Sequence, residues 1–170
     1  VSQNPSSEKP LCLSRRSFLF AGASTLVMTT MPGFSATFDV KKFESQRIAS
    51  LKELESGEPI AFQYPSDDPY ATNILVKLNE KAGAGVGKDH DIVAFNQLCT
   101  HMGGPLMGTY KKEHQVLGPC PFHLTTFDLT RHGMVVSGHA TDSLPQIMLE
   151  VHGDDIYAVG VMGLIYGHTA

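Results

Sequence analysis

Apolar residues along this chain fall into short runs that turn-forming residues interrupt at close spacing. Ile60-Ala61-Phe62-Gln63-Tyr64, Asn73-Ile74-Leu75-Val76-Lys77-Leu78 and Ile92-Val93-Ala94-Phe95 are rich in β-branched and aromatic residues and predict strands. Phe127-Asp128-Leu129 and Met134-Val135-Val136 predict a strand pair joined by a turn at His132-Gly133. Residues 146–151 and 156–161 predict a second pair across His152-Gly153-Asp154-Asp155. Helical periodicity is visible only over 43–54, where Phe43, Arg47, Leu51 and Leu54 leave a weak stripe. The glycine-rich stretch Ala82-Gly83-Ala84-Gly85 runs on to Gly87-Lys88-Asp89 and then to a strand. A phosphate-cradling loop needs a hydroxyl residue after the lysine and a helix behind it, so this stretch reads as a hairpin-like connection. The pattern is all-β, an antiparallel sandwich or small barrel.

The first residues follow another pattern. Polar residues from Ser2 to Ser14 precede Arg15-Arg16, and Phe18-Leu19-Phe20 then opens an apolar run to about Phe34, diluted by Gly22, Ser24, Thr25, Thr29 and Thr30. Ser14-Arg15-Arg16-Ser17-Phe18-Leu19 resembles a twin-arginine export signal. Residues 1–36 are therefore expected to direct export to the periplasm, either cleaved near Ser35 or kept as a membrane anchor. Residues 37–170 are expected to form one domain.

Composition narrows the possible partners. Of 170 residues 42% are hydrophobic and 18% charged, as in globular proteins, and the net charge of −4 offers no basic excess to offset nucleic-acid phosphates. Three cysteines are too few for a disulfide scaffold, and two of them stand in a more informative setting.

That setting is Cys99-Thr100-His101 and, beyond residues 102–119, Cys120-Pro121-Phe122-His123: a C-x-H box and a C-x-x-H box. Two thiolates and two imidazoles can bind zinc or an iron–sulfur cluster. Structural zinc sites commonly use C-x₂₋₄-C knuckles, and a single residue between Cys and His is awkward for chelating one tetrahedral ion. Two adjacent irons suit it better, each loop giving sulfur to one and nitrogen to the other.

Cys99-Thr100-His101-Met102-Gly103 with Cys120-Pro121-Phe122-His123 resembles the cluster-binding boxes of Rieske iron–sulfur proteins. The resemblance implies a Rieske-type [2Fe–2S] cluster, with Cys99 and Cys120 on the buried iron and His101 and His123 on the exposed one. It also implies a cluster-binding subdomain, over about 92–145, inserted in the β domain. In respiratory members each box carries a further cysteine and the two form a disulfide; here Gly104 and Phe122 stand in those places. Pro105, Pro119 and Pro121 can stiffen the loops instead by fixing φ. A serine and a tyrosine follow the second box in the respiratory pattern, and their hydroxyls bond cluster and cysteine sulfurs. Thr125 can retain the first bond; Phe127 lacks a hydroxyl for the second, which implies a potential below that of respiratory centres.

Longer stretches resemble the small subunit of arsenite oxidase: residues 99–106, 118–129, 132–141, 144–147 and 163–167. The resemblance implies an electron-transfer subunit of a periplasmic oxidoreductase, with no substrate site of its own. Its expected partners are a large molybdopterin and iron–sulfur catalytic subunit, and a cytochrome c or cupredoxin acceptor. The alternative is the Rieske subunit of a quinol-oxidising cytochrome bc complex. Met102 and Leu106 are expected to pack on the catalytic subunit. Leu98 and Leu124 are expected either to flank the cluster or to join the core. His132, His139 and His152, each next to glycine, read as turn or hydrogen-bonding residues rather than ligands.

Overall fold

The computed structural model describes residues 43–54 and 58–167; residues 1–36, with the expected export signal and Cys12, lie outside the described residues. Ten strands and one 3-10 turn at Pro69–Ala71 make up its regular structure. The strands are β1 (Gln46–Ser50), β2 (Ile60–Gln63), β3 (Thr72–Lys77), β4 (Ile92–Asn96), β5 (Tyr110–Lys111), β6 (Val116–Leu117), β7 (Thr126–Asp128), β8 (Met134–Ser137), β9 (Gln146–His152) and β10 (Asp155–Met162).

Six of them form an antiparallel sheet in the order β1-β10-β9-β4-β3-β2, and the other four a smaller antiparallel sheet in the order β5-β6-β7-β8. The smaller sheet is inserted between β4 and β9. Gln46 and Gln63 lie on the two edge strands of the larger sheet, yet Gln46 Nε2 donates to the Gln63 carbonyl at 3.1 Å. The sheet has therefore curled until its edges approach, which limits how much unpaired edge it presents.

β3 and β4 are buried on both faces, which is why they read as continuous apolar runs. Successive side chains on a strand point to opposite faces. Ile74, Val76, Val93 and Phe95 meet Leu106, Leu117, Phe127, Leu129 and Leu144 in a core against the smaller sheet. Leu75, Ile92 and Ala94 face the other way, into a core with Ile147, Leu149, Ile156, Ala158 and Ala49 inside the curled sheet. Cys99 and Cys120 belong to the first of these cores, so the larger sheet that supports the smaller one also supports the two boxes.

The weak helical stripe over 43–54 is not a helix. Residues 46–50 are β1, paired with β10, and a turn follows at residues 51–53. Arg47 faces Tyr157 and Ala49 faces Ile156, so Ile48 is the extra residue of a bulge. A bulge breaks the two-residue alternation, and the broken alternation imitates a longer period. β5 and β6 are two residues each, too short for any periodic signal.

The glycine-rich loop connects β3 to β4 and docks against the β7–β8 turn. Gly83 N–H donates to the Thr130 carbonyl at 2.8 Å, and Gln146 Nε2 donates to the Gly83 carbonyl at 2.8 Å. Gln146 Oε1 is left to accept, from His132 Nδ1 at 2.9 Å. His132 is thus a hydrogen-bonding turn residue, the middle of a relay that ties the smaller sheet to the larger one. A Cβ at Gly83 would fall 2.4 Å from His132 Nε2, so only glycine allows this approach. Gln146→Ala is expected to destabilise the protein by ~1–3 kcal/mol, because it strands the Gly83 carbonyl and the His132 N–H. In a denaturant double-mutant cycle with His132→Ala, the cost of the double variant should fall short of the sum of the two single costs by ~0.5 kcal/mol or more. Strict additivity would dissolve the relay.

Candidate metal centre

The two boxes fold into loops with the same hydrogen-bond closure. In the first, which follows β4, Cys99 N–H donates to the Gly104 carbonyl at 2.9 Å and Gly103 N–H donates back to the Cys99 carbonyl at 2.8 Å. In the second, which precedes β7, Cys120 N–H donates to the Thr125 carbonyl at 2.8 Å and Leu124 N–H donates to the Cys120 carbonyl at 2.9 Å. The fourth residue after each cysteine sits in the left-handed region, Gly103 at φ 66 and Leu124 at φ 61. Leucine adopts that conformation at a cost of ~1–2 kcal/mol, which the surrounding hydrogen bonds must offset. Each closure turns its cysteine into the core and lifts its histidine toward solvent.

Neighbouring contacts hold the first loop in place. Asn96, fully buried, donates to the Tyr70 and Thr72 carbonyls at 2.9 and 3.0 Å and accepts from Leu98 N–H at 3.0 Å. Leu106 N–H donates to the Gln97 carbonyl at 2.8 Å, and Thr100 Oγ1 to the Asp142 carbonyl at 2.8 Å. Glycine is required where the loops touch. A Cβ at Gly104 would lie 2.5 Å from Cys120 Sγ and 3.1 Å from the Phe122 ring. Of the two places that the resemblance assigns to a disulfide, one thus holds a phenyl ring and the other the glycine it packs on. A Cβ at Gly103 would meet the Tyr166 ring at 2.5 Å.

The four predicted donors come together as two pairs. Cys99 and Cys120 are each 1% exposed and both are free thiols. Burial pushes the Cys99 thiol up, and the neighbouring Cys120 sulfur acts in the same direction. The His101 backbone N–H and the Thr125 hydroxyl, both bonded to it, oppose the rise. His101 and His123 lie nearer the surface, with Nδ1 atoms 3.2 Å apart. Two nitrogens on one tetrahedral ion with bonds of ~2.0–2.1 Å would stand at about that separation. Among the described residues no three His, Cys, Asp or Glu side chains converge on a single ion. A buried sulfur pair and a surface nitrogen pair fit two adjacent irons and do not fit one zinc.

Thr125 links the sulfur pair to a third segment. Its Oγ1 accepts from the His139 and Ala140 backbone N–H groups at 3.1 and 3.3 Å, and the same hydroxyl is one of the groups that hold the Cys99 thiol down. Phe127 is fully buried in the core and supplies no hydroxyl. His139, which reads in the sequence as a turn or hydrogen-bonding residue, has its ring 5.7 Å from that of His101 and 6.0 Å from that of His123. Nothing in a lone Gly-His pair signals that proximity. Leu106 corrects another expectation: at 0% exposed it is a core residue and unavailable to a partner. Met102, 54% exposed, and Leu124, 66% exposed, remain at the surface, and Leu98 is buried.

Comparison with known proteins agrees with this geometry. The profile of the Rieske [2Fe-2S] domain matches residues 44–148. The iodate reductase subunit IdrB of Denitromonas iodatirespirans is 61% identical over 94% of this chain and 86% of its own length. The same subunit of Pseudomonas sp. (strain SCT) is 62% identical over 92% of this chain and 83% of its own length. Among solved structures, the soluble domain of Rieske protein II (soxF) from Sulfolobus acidocaldarius superposes with a TM-score of 0.59 at 25% identity, covering 70% of this chain and 78% of that one. The chain carries a Rieske-type [2Fe–2S] cluster.

An O–H···S bond strengthens when the sulfur gains charge, so it favours the reduced state. Thr125→Val is expected to lower the reduction potential by ~40–85 mV, equivalent to ~1–2 kcal/mol for one electron, while Thr125→Ser keeps it. Protein-film voltammetry reads both, and an unchanged potential in the valine variant would remove Thr125 from the tuning of the cluster.

Proposed function

The chain belongs to the Rieske [2Fe–2S] domain family, and from that premise we propose that it is the electron-transfer subunit of an oxyanion-converting oxidoreductase, with Cys99 and Cys120 on the inner iron and His101 and His123 on the outer one. The observation that carries the reading is the 61–62% identity to two iodate reductase subunits along more than nine-tenths of the chain. The cluster supplies a one-electron carrier. Two neutral imidazoles in place of two thiolates make the site less negative than a four-cysteine cluster and raise its potential.

The protein's own residues do the rest. Cys99 and Cys120 anchor the carrier in the core against Phe127 and Leu117. Thr125 steadies the sulfur. His101 and His123, on exposed loops, bring the carrier within reach of a partner's cofactor. The partner is a catalytic subunit, with a molybdopterin as its reaction centre, and the exchange takes place in the periplasm after twin-arginine export. That route suits a protein whose cluster is inserted before translocation, because it carries folded cargo.

Iodate reduction and arsenite oxidation use such a subunit in opposite directions. A reductase draws electrons from this chain to the catalytic subunit; an oxidase delivers them to it, and from it to a cytochrome c or cupredoxin. Identity to the iodate reductase subunits favours the first direction, and the resemblance over residues 99–106, 118–129 and 132–141 supports the second.

Co-purified with its catalytic subunit and reduced chemically, the cluster should be reoxidised on adding iodate and left unchanged by arsenite, as followed by visible absorption. Reduction of the oxidised cluster by arsenite, with no response to iodate, would replace the reductase with the oxidase. Loss of the cluster-bearing protein from the periplasmic fraction in an Arg15→Lys, Arg16→Lys variant is the expected export result. Unimpaired delivery would refute the twin-arginine route.

A further inference from the structure

We propose that His139 is a positioning residue of the cluster, a third imidazole that holds the ring planes of His101 and His123 and shields them from water. The proposal rests on the assignment of those two histidines to the outer iron.

Three observations carry it. The His139 ring is stacked on that of His101, with centroids 5.7 Å apart and planes 25° apart. It meets the His123 ring nearly edge-on, at 6.0 Å and 73°. His101 and His123 are themselves nearly perpendicular, at 4.6 Å and 81°. One ring thus neighbours both imidazoles, near-parallel to one and near-perpendicular to the other. A ring bound through one nitrogen can still turn about that bond, and a flat neighbour on its face limits the turn.

The segment that carries His139 is held independently of its side chain. The His139 and Ala140 backbone N–H groups donate to Thr125 Oγ1 at 3.1 and 3.3 Å. Gly138 stands at φ 101, and a Cβ there would fall 2.3 Å from Thr125 Cα. The backbone is seated on the residue that bonds the Cys99 sulfur, so the same short segment reaches both ends of the site. A side-chain substitution at 139 leaves these backbone bonds in place.

The consequence has a sign. With two thiolates and two neutral imidazoles the oxidised site is uncharged, and the reduced site carries one negative charge. Water stabilises the charged state more, so removing a ring that covers the imidazoles favours reduction. His139→Ala should raise the one-electron equilibrium constant at least threefold, which is about 28 mV at 59 mV per decade. It should also change the g anisotropy of the reduced protein's electron paramagnetic resonance spectrum, because that anisotropy follows the ligand ring planes. His139→Phe keeps a flat ring without a nitrogen and should restore both the potential and the spectrum.

The test is redox-poised electron paramagnetic resonance on the cluster-loaded full chain and its two variants, with circular dichroism as a check of the fold. A raised potential with altered g values in the alanine variant, and wild-type values in the phenylalanine variant, supports the proposal. Wild-type values in both variants overturn it and leave the ligand assignment standing. Loss of the Rieske signal in both, with the fold intact, would make His139 itself a ligand and overturn the ligand assignment as well. If the alanine variant does not load the cluster, the phenylalanine variant decides: a wild-type spectrum supports the positioning role, and a shifted one refutes it.

Discussion

The structure depends on a repeated piece of backbone geometry, in which a cysteine N–H reaches the carbonyl five residues on and its carbonyl receives an N–H from four residues on. Performed at Cys99 and again at Cys120, this closure buries the thiols and leaves the imidazoles outside. Neither loop achieves this alone. Gly104 lets Cys120 approach, and the Phe122 ring lies over Gly104, so each loop is shaped around the other. The absence of a second cysteine in each box becomes intelligible in these terms. An aromatic ring packed on a glycine, with the Asn96 network behind, fastens the loops without a covalent bond.

The environment of the sulfur pair shows which tuning device the protein keeps. A hydroxyl at 125 holds the Cys99 thiol down and is itself ordered by two backbone N–H groups. At 127 a buried phenyl ring stands where respiratory members place a tyrosine. Core packing is retained there with no hydroxyl to offer the sulfur pair.

The informative part of the sequence was local. C-x-H and C-x-x-H state the donor set within a few residues, and the strand runs at 60–64, 73–78 and 92–95 are visible because both faces of the central strands are apolar. What was hidden arose from pairings distant in sequence. A one-residue bulge at Ile48 broke the alternation of β1, and its partner β10 lies at the other end of the domain. Leu106 looked like a surface leucine beside a box and is instead the floor under it. His132 and His139 are the same kind of residue in the same kind of setting, a histidine next to glycine. One joins a relay between sheets and the other stands beside the imidazoles of the two boxes. Only the folded chain distinguishes them.

The proposed ligand set gives sulfur from both loops to one iron and nitrogen from both loops to the other. Pulsed electron paramagnetic resonance on the reduced protein, with nitrogen-isotope-labelled histidine, counts the nitrogens bound to the cluster. From this ligand set, two strongly coupled histidine nitrogens are expected, with one lost in each variant that replaces His101 or His123. A spectrum with no strong nitrogen coupling, or one that either variant leaves untouched, would contradict it.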